Sequence, residues 1–131
     1  MLFRVLIADD KPAGRELVKT VLENSGHEVF EASNGLEALD FAHRVRPHLI
    51  ILDLHMPGLD GFGVIKELRL SAAFHSTPVI ALTASAMQGD RQRALDAGFT
   101  GYITKPVSLR GLRIEVERLL TLTAEDAAAD Q

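Results

Sequence analysis

Asp9 and Asp10 follow the run Phe3-Arg4-Val5-Leu6-Ile7-Ala8, and Asp53 follows Leu49-Ile50-Ile51-Leu52. Each run is short, largely apolar and β-rich, the pattern of a strand buried in a parallel sheet. In an open α/β sheet the ligand crevice lies beyond the carboxyl ends of the strands. If these two strands are neighbours, three carboxylates converge on one small patch. Two carboxylates about 4 Å apart repel by roughly 4 kcal/mol at an effective dielectric near 20. A cation relieves that repulsion, so the spacing points to a divalent metal and to chemistry at a carboxylate.

Two further residues fall on the same edge. The fourth apolar run ends at Leu82-Thr83-Ala84 and the fifth at Thr104-Lys105-Pro106. Metal ligands, a nucleophilic carboxylate, a hydroxyl donor and a cation together make the parts required for phosphoryl transfer. Hydroxyl and ammonium stabilise the equatorial oxygens. Mg²⁺, or Mn²⁺ in its place, suits a site of few carboxylates, since Mg²⁺ keeps several waters and binds phosphate. Each residue also has a plainer reading. Asp9-Asp10-Lys11-Pro12 could be a helix N-cap with proline near the first turn. Asp53 could be a turn residue before Pro57-Gly58, Thr83 a β-branched strand end, and Lys105 a solvated cation. A cap accounts for one aspartate and not for two, and the four loops supply the whole set.

These residues need a scaffold that aligns strand ends. Apolar runs at 3–8, 28–32, 48–52, 78–82 and 100–104 read as five strands. Segments of helical period lie between them. The first is 12–25, with Leu17, Val18, Val21 and Leu22 on one face and Gly26 as C-cap. The second is 35–45, where Asn34 and Glu37 have capping-box spacing. The third is 61–72, the fourth 87–97 with Gly98 as its stop, and the fifth 108–122, starting at Ser108 with Leu109, Leu112, Val116 and Leu119 on one stripe. Strict βα alternation implies a parallel sheet with helices on both faces. Five units are too few for a closed eight-stranded barrel. The expected fold is a doubly wound, flavodoxin-like sheet in 2-1-3-4-5 order, which makes strands 1 and 3 neighbours at the switch point. The domain is expected over 1–122, with a flexible tail over 123–131.

Composition narrows the class. The 131 residues are 47% hydrophobic and 24% charged, enough for one domain with a sizeable core and without a membrane-spanning run. A net charge of −4 argues against direct DNA binding, which needs a basic face. There is no cysteine, hence no disulfide or thiolate metal site, which fits a cytoplasmic protein. No two of the five histidines stand at helical zinc-pair spacing, so they read as surface or structural residues.

The segments VLIADD (5–10), IILDLHMPGLDG (50–61), VIALTA (79–84) and YITKP (102–106), in this order, resemble the receiver domain of two-component response regulators across residues 3–122. That resemblance implies a signalling module rather than an enzyme, one that assists its own phosphorylation and dephosphorylation. Asp53 would be the phosphoacceptor, taking a phosphoryl group from phosphohistidine on a sensor histidine kinase or a histidine phosphotransfer protein. Asp10 would ligate Mg²⁺ directly, with Asp9 acting mainly through water and the His55 backbone carbonyl completing the set. Lys105 would contact the phosphoryl group and Thr83 would follow it. Pro106 implies a cis peptide after Lys105. Tyr102, the only tyrosine, is placed at the end of the fifth strand; it is read either as a half-buried core aromatic or as a rotamer switch coupled to Thr83.

The same resemblance implies output through a downstream protein target, on the face of the fourth helix, fifth strand and fifth helix. The chain stops about ten residues after the expected fifth helix, which suggests a single-domain receiver or a piece of a longer protein. Thr100 and Gly101 stand where DNA-binding regulators often carry an acidic pair, so their dimer is not expected. The stretch from Thr83 to Asp90 looks more like single-domain and hybrid-kinase receivers. Two rival classes remain. One is an aspartyl-phosphate phosphatase of the haloacid-dehalogenase type, although His55 stands where its second aspartate belongs. The other is an unphosphorylated pseudo-receiver, a pure binding module.

Overall fold

A computed structural model describes residues 3–84 and 89–129, with side chains described as far as residue 122. Five strands, β1 (Arg4–Ala8), β2 (Glu28–Ala32), β3 (Leu49–Asp53), β4 (Val79–Thr83) and β5 (Gly101–Thr104), form one parallel sheet in the order β2-β1-β3-β4-β5. Five helices connect and close it: α1 (Pro12–Asn24), α2 (Gly35–Val45), α3 (Gly61–Leu70), α4 (Asp90–Ala97) and α5 (Leu109–Ala129). This is the doubly wound architecture expected from the alternation of runs.

Each central strand is continuously apolar because both its faces are covered. Leu6, Ala8, Ile50, Leu52, Val79 and Ala81 point to one side and pack with Ala38, Ala42, Val64, Ile65 and Leu68 of α2 and α3. Val5, Ile7, Leu49, Ile51, Ile80 and Leu82 point to the other and pack with Val18, Val21 and Leu22 of α1 and Leu112, Val116 and Leu119 of α5. The period of two along each strand splits the core into two layers.

Local signals set the helix starts. Asn34 accepts from the Glu37 N–H at 2.8 Å, while Glu37 accepts from the Ser33 N–H at 3.0 Å, a capping box displaced by one residue. Asp60 caps α3 through the Gly63 N–H at 2.9 Å, and Ser108 Oγ accepts from the Gly111 N–H at 3.1 Å. Gly26 follows α1 at φ +90°, the left-handed position that favours glycine after a helix.

Two helix ends differ clearly from expectation. α3 ends at Leu70 and yields to a single 3₁₀ turn, Ala72–Phe74. α5 continues to Ala129, seven residues past its expected end. Thr121 to Ala129 contains no glycine or proline and is rich in alanine, so nothing local stops the helix and its propensity is high. The expected start of the fourth helix at residue 87 lies outside the described residues, as does half of the stretch from Thr83 to Asp90.

Candidate functional site

The three acids, Thr83 and Lys105 lie at the carboxyl edge of the sheet because adjacent strands end together. Ala8 pairs with Leu52, Asp53 with Leu82, and Thr83 with Thr104. The residues at and just beyond these pairs are therefore neighbours. Each of Asp9, Asp10 and Asp53 offers a ligand oxygen, and these oxygens lie within 4.8 Å of one another. Asp9, Asp53 and Thr83 are buried.

Lys105 enters this patch from the other side. Its Nζ donates to Asp53 Oδ2 at 2.8 Å and to Asp9 Oδ2 at 3.0 Å. Burial opposes the ammonium charge, but the hydrogen bonds and charges of Asp53 and Asp9 outweigh it, so the Lys105 pKa is raised. The remaining oxygens of those two carboxylates are also engaged: Asp9 Oδ1 accepts from the Lys11 N–H at 3.0 Å and Asp53 Oδ1 from the His55 N–H at 2.8 Å. Asp10 is different. Its Oδ1 is buried and meets no hydrogen-bond partner among the described residues. A buried carboxylate oxygen without a donor carries a large desolvation cost, which a cation removes. The donor set is all oxygen, and the acidic cluster is consistent with a Mg²⁺ site.

The plainer reading of Asp9 and Asp10 as caps does not describe this geometry. Lys11, not an aspartate, stands at the N-cap of α1, and its side chain makes no capping bond. Two glycines let backbone approach the acids. A Cβ on Gly61 would come within 2.6 Å of the Asp53 carbonyl oxygen, so glycine is what lets α3 start against the end of β3. A Cβ on Gly14 would lie 3.1 Å from Asp9 Oδ2.

Thr83 and Lys105 are joined through the main chain, the Lys105 N–H donating to the Thr83 carbonyl at 2.7 Å. The Lys105–Pro106 peptide is cis. Tyr102 stands second in β5, two residues before its end, and not at the strand terminus as expected. It is half-buried and packs against the α2–α3 side of the core. Burial and then the nearby Asp90 raise its pKa. Beside the acids, a groove of about 290 Å³ opens between α1 and the β5–α5 loop, walled by Leu17, Val18, Pro106 and Val107.

The sequence reading missed Arg15, whose Nη1 donates to the Asp9 carbonyl at 2.8 Å. A lone arginine on an amphipathic helix gives no signal of that contact.

Residues 5–117 match the family model of the response regulator receiver domain. The chain belongs to that family. It is 41% identical over 105 residues to the polar-differentiation response regulator DivK of Brucella anthropi, covering 80% of this chain and 85% of that one. Among solved structures it is similar to the chemotaxis response regulator CheY4 of Vibrio cholerae, with 32% identity, a TM-score of 0.86, and 91% and 99% of the two chains covered. It is also similar to the receiver domain of the sensor histidine kinase PA1611 from Pseudomonas aeruginosa PAO1, solved with a magnesium ion coordinated in its active site cleft. There the identity is 31%, the TM-score 0.85, and the coverage 92% and 99%. This receiver domain is thus a phosphoryl-accepting module of two-component signalling, and its family is one of signalling proteins.

Proposed function

We propose that Asp53 is the phosphoacceptor of this receiver domain and that the acidic cluster holds Mg²⁺ for the transfer. The observation that carries the reading is Lys105 Nζ bridging Asp53 and Asp9 while Asp10 Oδ1 stands buried and unpartnered beside them. Asp10, whose Oδ1 meets no donor, would ligate the ion directly together with Asp53, and Asp9 would act mainly through water. The His55 backbone carbonyl completes the set. The magnesium ion in the Pseudomonas aeruginosa receiver domain supports this choice of metal. When bound, Mg²⁺ supplies charge neutralisation for the acids and the incoming phosphoryl oxygens.

The chain's own groups do the rest. An Asp53 carboxylate oxygen attacks the phosphorus of phosphohistidine. The P–O bond forms, the P–N bond breaks, and its electron pair returns to the imidazole nitrogen of the donor. Lys105 turns from the carboxylates to the transferred group, and the Thr83 hydroxyl follows it. Attack of water on the same phosphorus returns free Asp53 and inorganic phosphate, so the site assists both its loading and its unloading. Tyr102 reports the change by turning toward the space Thr83 leaves, a two-state shift biased by local charge.

The donor is a sensor histidine kinase or a histidine phosphotransfer protein. The groove beside Lys105 offers it an apolar seat at the acid site, with Leu17 and Pro106 accessible. Output passes to a downstream protein over the face of α4, β5 and α5. We place the protein in the cytoplasm, where ATP supports histidine phosphorylation; no described helix is long and apolar enough to cross a membrane.

The test is incubation with a small acyl phosphate, with and without Mg²⁺, followed by mass spectrometry. One phosphoryl group should appear on Asp53 only with Mg²⁺, and Asp53→Asn should abolish it. Label on another residue of the parent protein would overturn the assignment, turnover with no accumulated adduct would favour the phosphatase reading, and no reaction the pseudo-receiver.

A further inference from the structure

We propose that Arg15 is a positioning residue for the metal site, holding the Asp9–Asp10 peptide and, through it, the Asp10 carboxylate, with Glu31 aiming it. This rests on the metal reading above and adds a residue to it. A peptide unit is planar from one Cα to the next, so fixing the carbonyl of Asp9 also fixes the nitrogen and Cα of Asp10. Arg15 Nη1 donates to that carbonyl at 2.8 Å. On its other side, Asp9 is held by its own N–H, which donates to the Ala32 carbonyl at 3.1 Å. Its carboxylate is held by Lys11 and Lys105. Asp10 has no such support at Oδ1, so its direction is inherited from the peptide plane before it.

Arg15 can do this because it is itself braced. Its Nε lies 3.3 Å from Glu31 Oε1 on β2, and Glu31 Oε2 lies 3.3 Å from Lys19 Nζ, one turn further along α1. The planar guanidinium sends one N–H to the carboxylate and another to the carbonyl at the same time. A lysine has a single ammonium on a flexible stem and cannot span both. The plainer alternative is a surface ion-pair cluster that only ties α1 to β2. Against it, the carbonyl bond is shorter than either ion pair, and the Arg15 side chain is only 19% exposed.

Calorimetric titration of the full chain with Mg²⁺, well below the melting temperature of each variant in EDTA, separates the two. Arg15→Ala should raise the dissociation constant about tenfold or more, the usual effect of losing a partner that orients a metal ligand. Arg15→Lys should recover only part of that affinity. Glu31→Gln should weaken binding less than Arg15→Ala, and it decides the matter if Arg15→Ala does not fold. A lower melting temperature in EDTA with a Mg²⁺ constant within about twofold of the parent would reduce Arg15 to a structural tie and overturn the proposal. A parent protein that binds no Mg²⁺ would remove the metal reading and this inference with it. A parent that binds, beside an unchanged Arg15→Ala, removes only this inference.

Discussion

Lys105 donates to Asp53 across 2.8 Å although 52 positions separate them in the chain. The contact makes the proposed phosphoacceptor half of an ion pair before any phosphoryl group arrives. It also divides the three acids: Asp53 and Asp9 are compensated by Lys105, and Asp10 is not.

Lys105 should therefore matter for stability as well as for transfer. Removing one partner of a buried ion pair costs about 3–5 kcal/mol. Lys105 keeps a fifth of its side chain exposed, so Lys105→Ala should fall near about 3 kcal/mol, or roughly 10 °C in melting temperature. Thermal melts in EDTA check this. Mg²⁺ should restore more stability to Lys105→Ala than to the parent, because the unpaired carboxylates then have no other cation.

The acids should respond unequally to neutralisation. Asp10→Ala should raise the melting temperature in EDTA by a few degrees, about 1 kcal/mol, since it removes a charge from a crowded patch and leaves no donor behind. Asp53→Asn should gain less or lose stability, because it removes the charge that pairs with Lys105. For a parent dissociation constant of ~1 mM, ~10 mM Mg²⁺ would add about 1.4 kcal/mol. Asp10→Ala should lose most of that gain. Equal shifts for Asp10→Ala and Asp53→Asn would contradict the division of the site.

Thr83 should act after transfer and not before it. The Thr83 contact to Lys105 is a main-chain bond, so Thr83→Ala leaves it intact. That variant should accept phosphate yet show a smaller NMR response at Tyr102. If Tyr102 moves equally in Thr83→Ala and the parent, the two residues are not coupled.

The opposite end of the sheet carries an acid-sensitive pair. His27 and His48 both contact the Phe3 ring, at 5.9 and 5.2 Å between centroids. Burial lowers the His27 pKa, with Glu117 opposing and the amino terminus assisting; burial and then Arg4 lower that of His48. The unfolded chain thus takes up these protons first, near the ordinary value of about 6.5. Stability from both residues is full above that value and declines as pH falls toward the folded-state pKa. The melting temperature in EDTA should drop between about pH 7.5 and about pH 5.5, and His27→Leu should show a smaller drop. An identical drop would assign the acid sensitivity to other groups.

The sequence alone determined the sheet and the edge on which its chemistry lies. Runs buried on both faces must be nearly all apolar, and strict alternation with helices leaves few topologies, so the ends of β1, β3, β4 and β5 had to meet. Asp9, Asp10, Asp53, Thr83 and Lys105 could be placed together from that alone. Where a boundary was misjudged, as at the end of α5, no local residue dictates a stop. What the tertiary structure decided is how the charges pair. Lys105 serving Asp9 and Asp53, Asp10 left without a donor, and Arg15 bound to the Asp9 carbonyl all depend on side-chain positions set to within a few tenths of an ångström. Hydrogen bonds and ion pairs fall off over those distances, whereas residue type and spacing specify a position only to within an element. Strand ends are legible in one dimension; the partner of each carboxylate is a three-dimensional outcome.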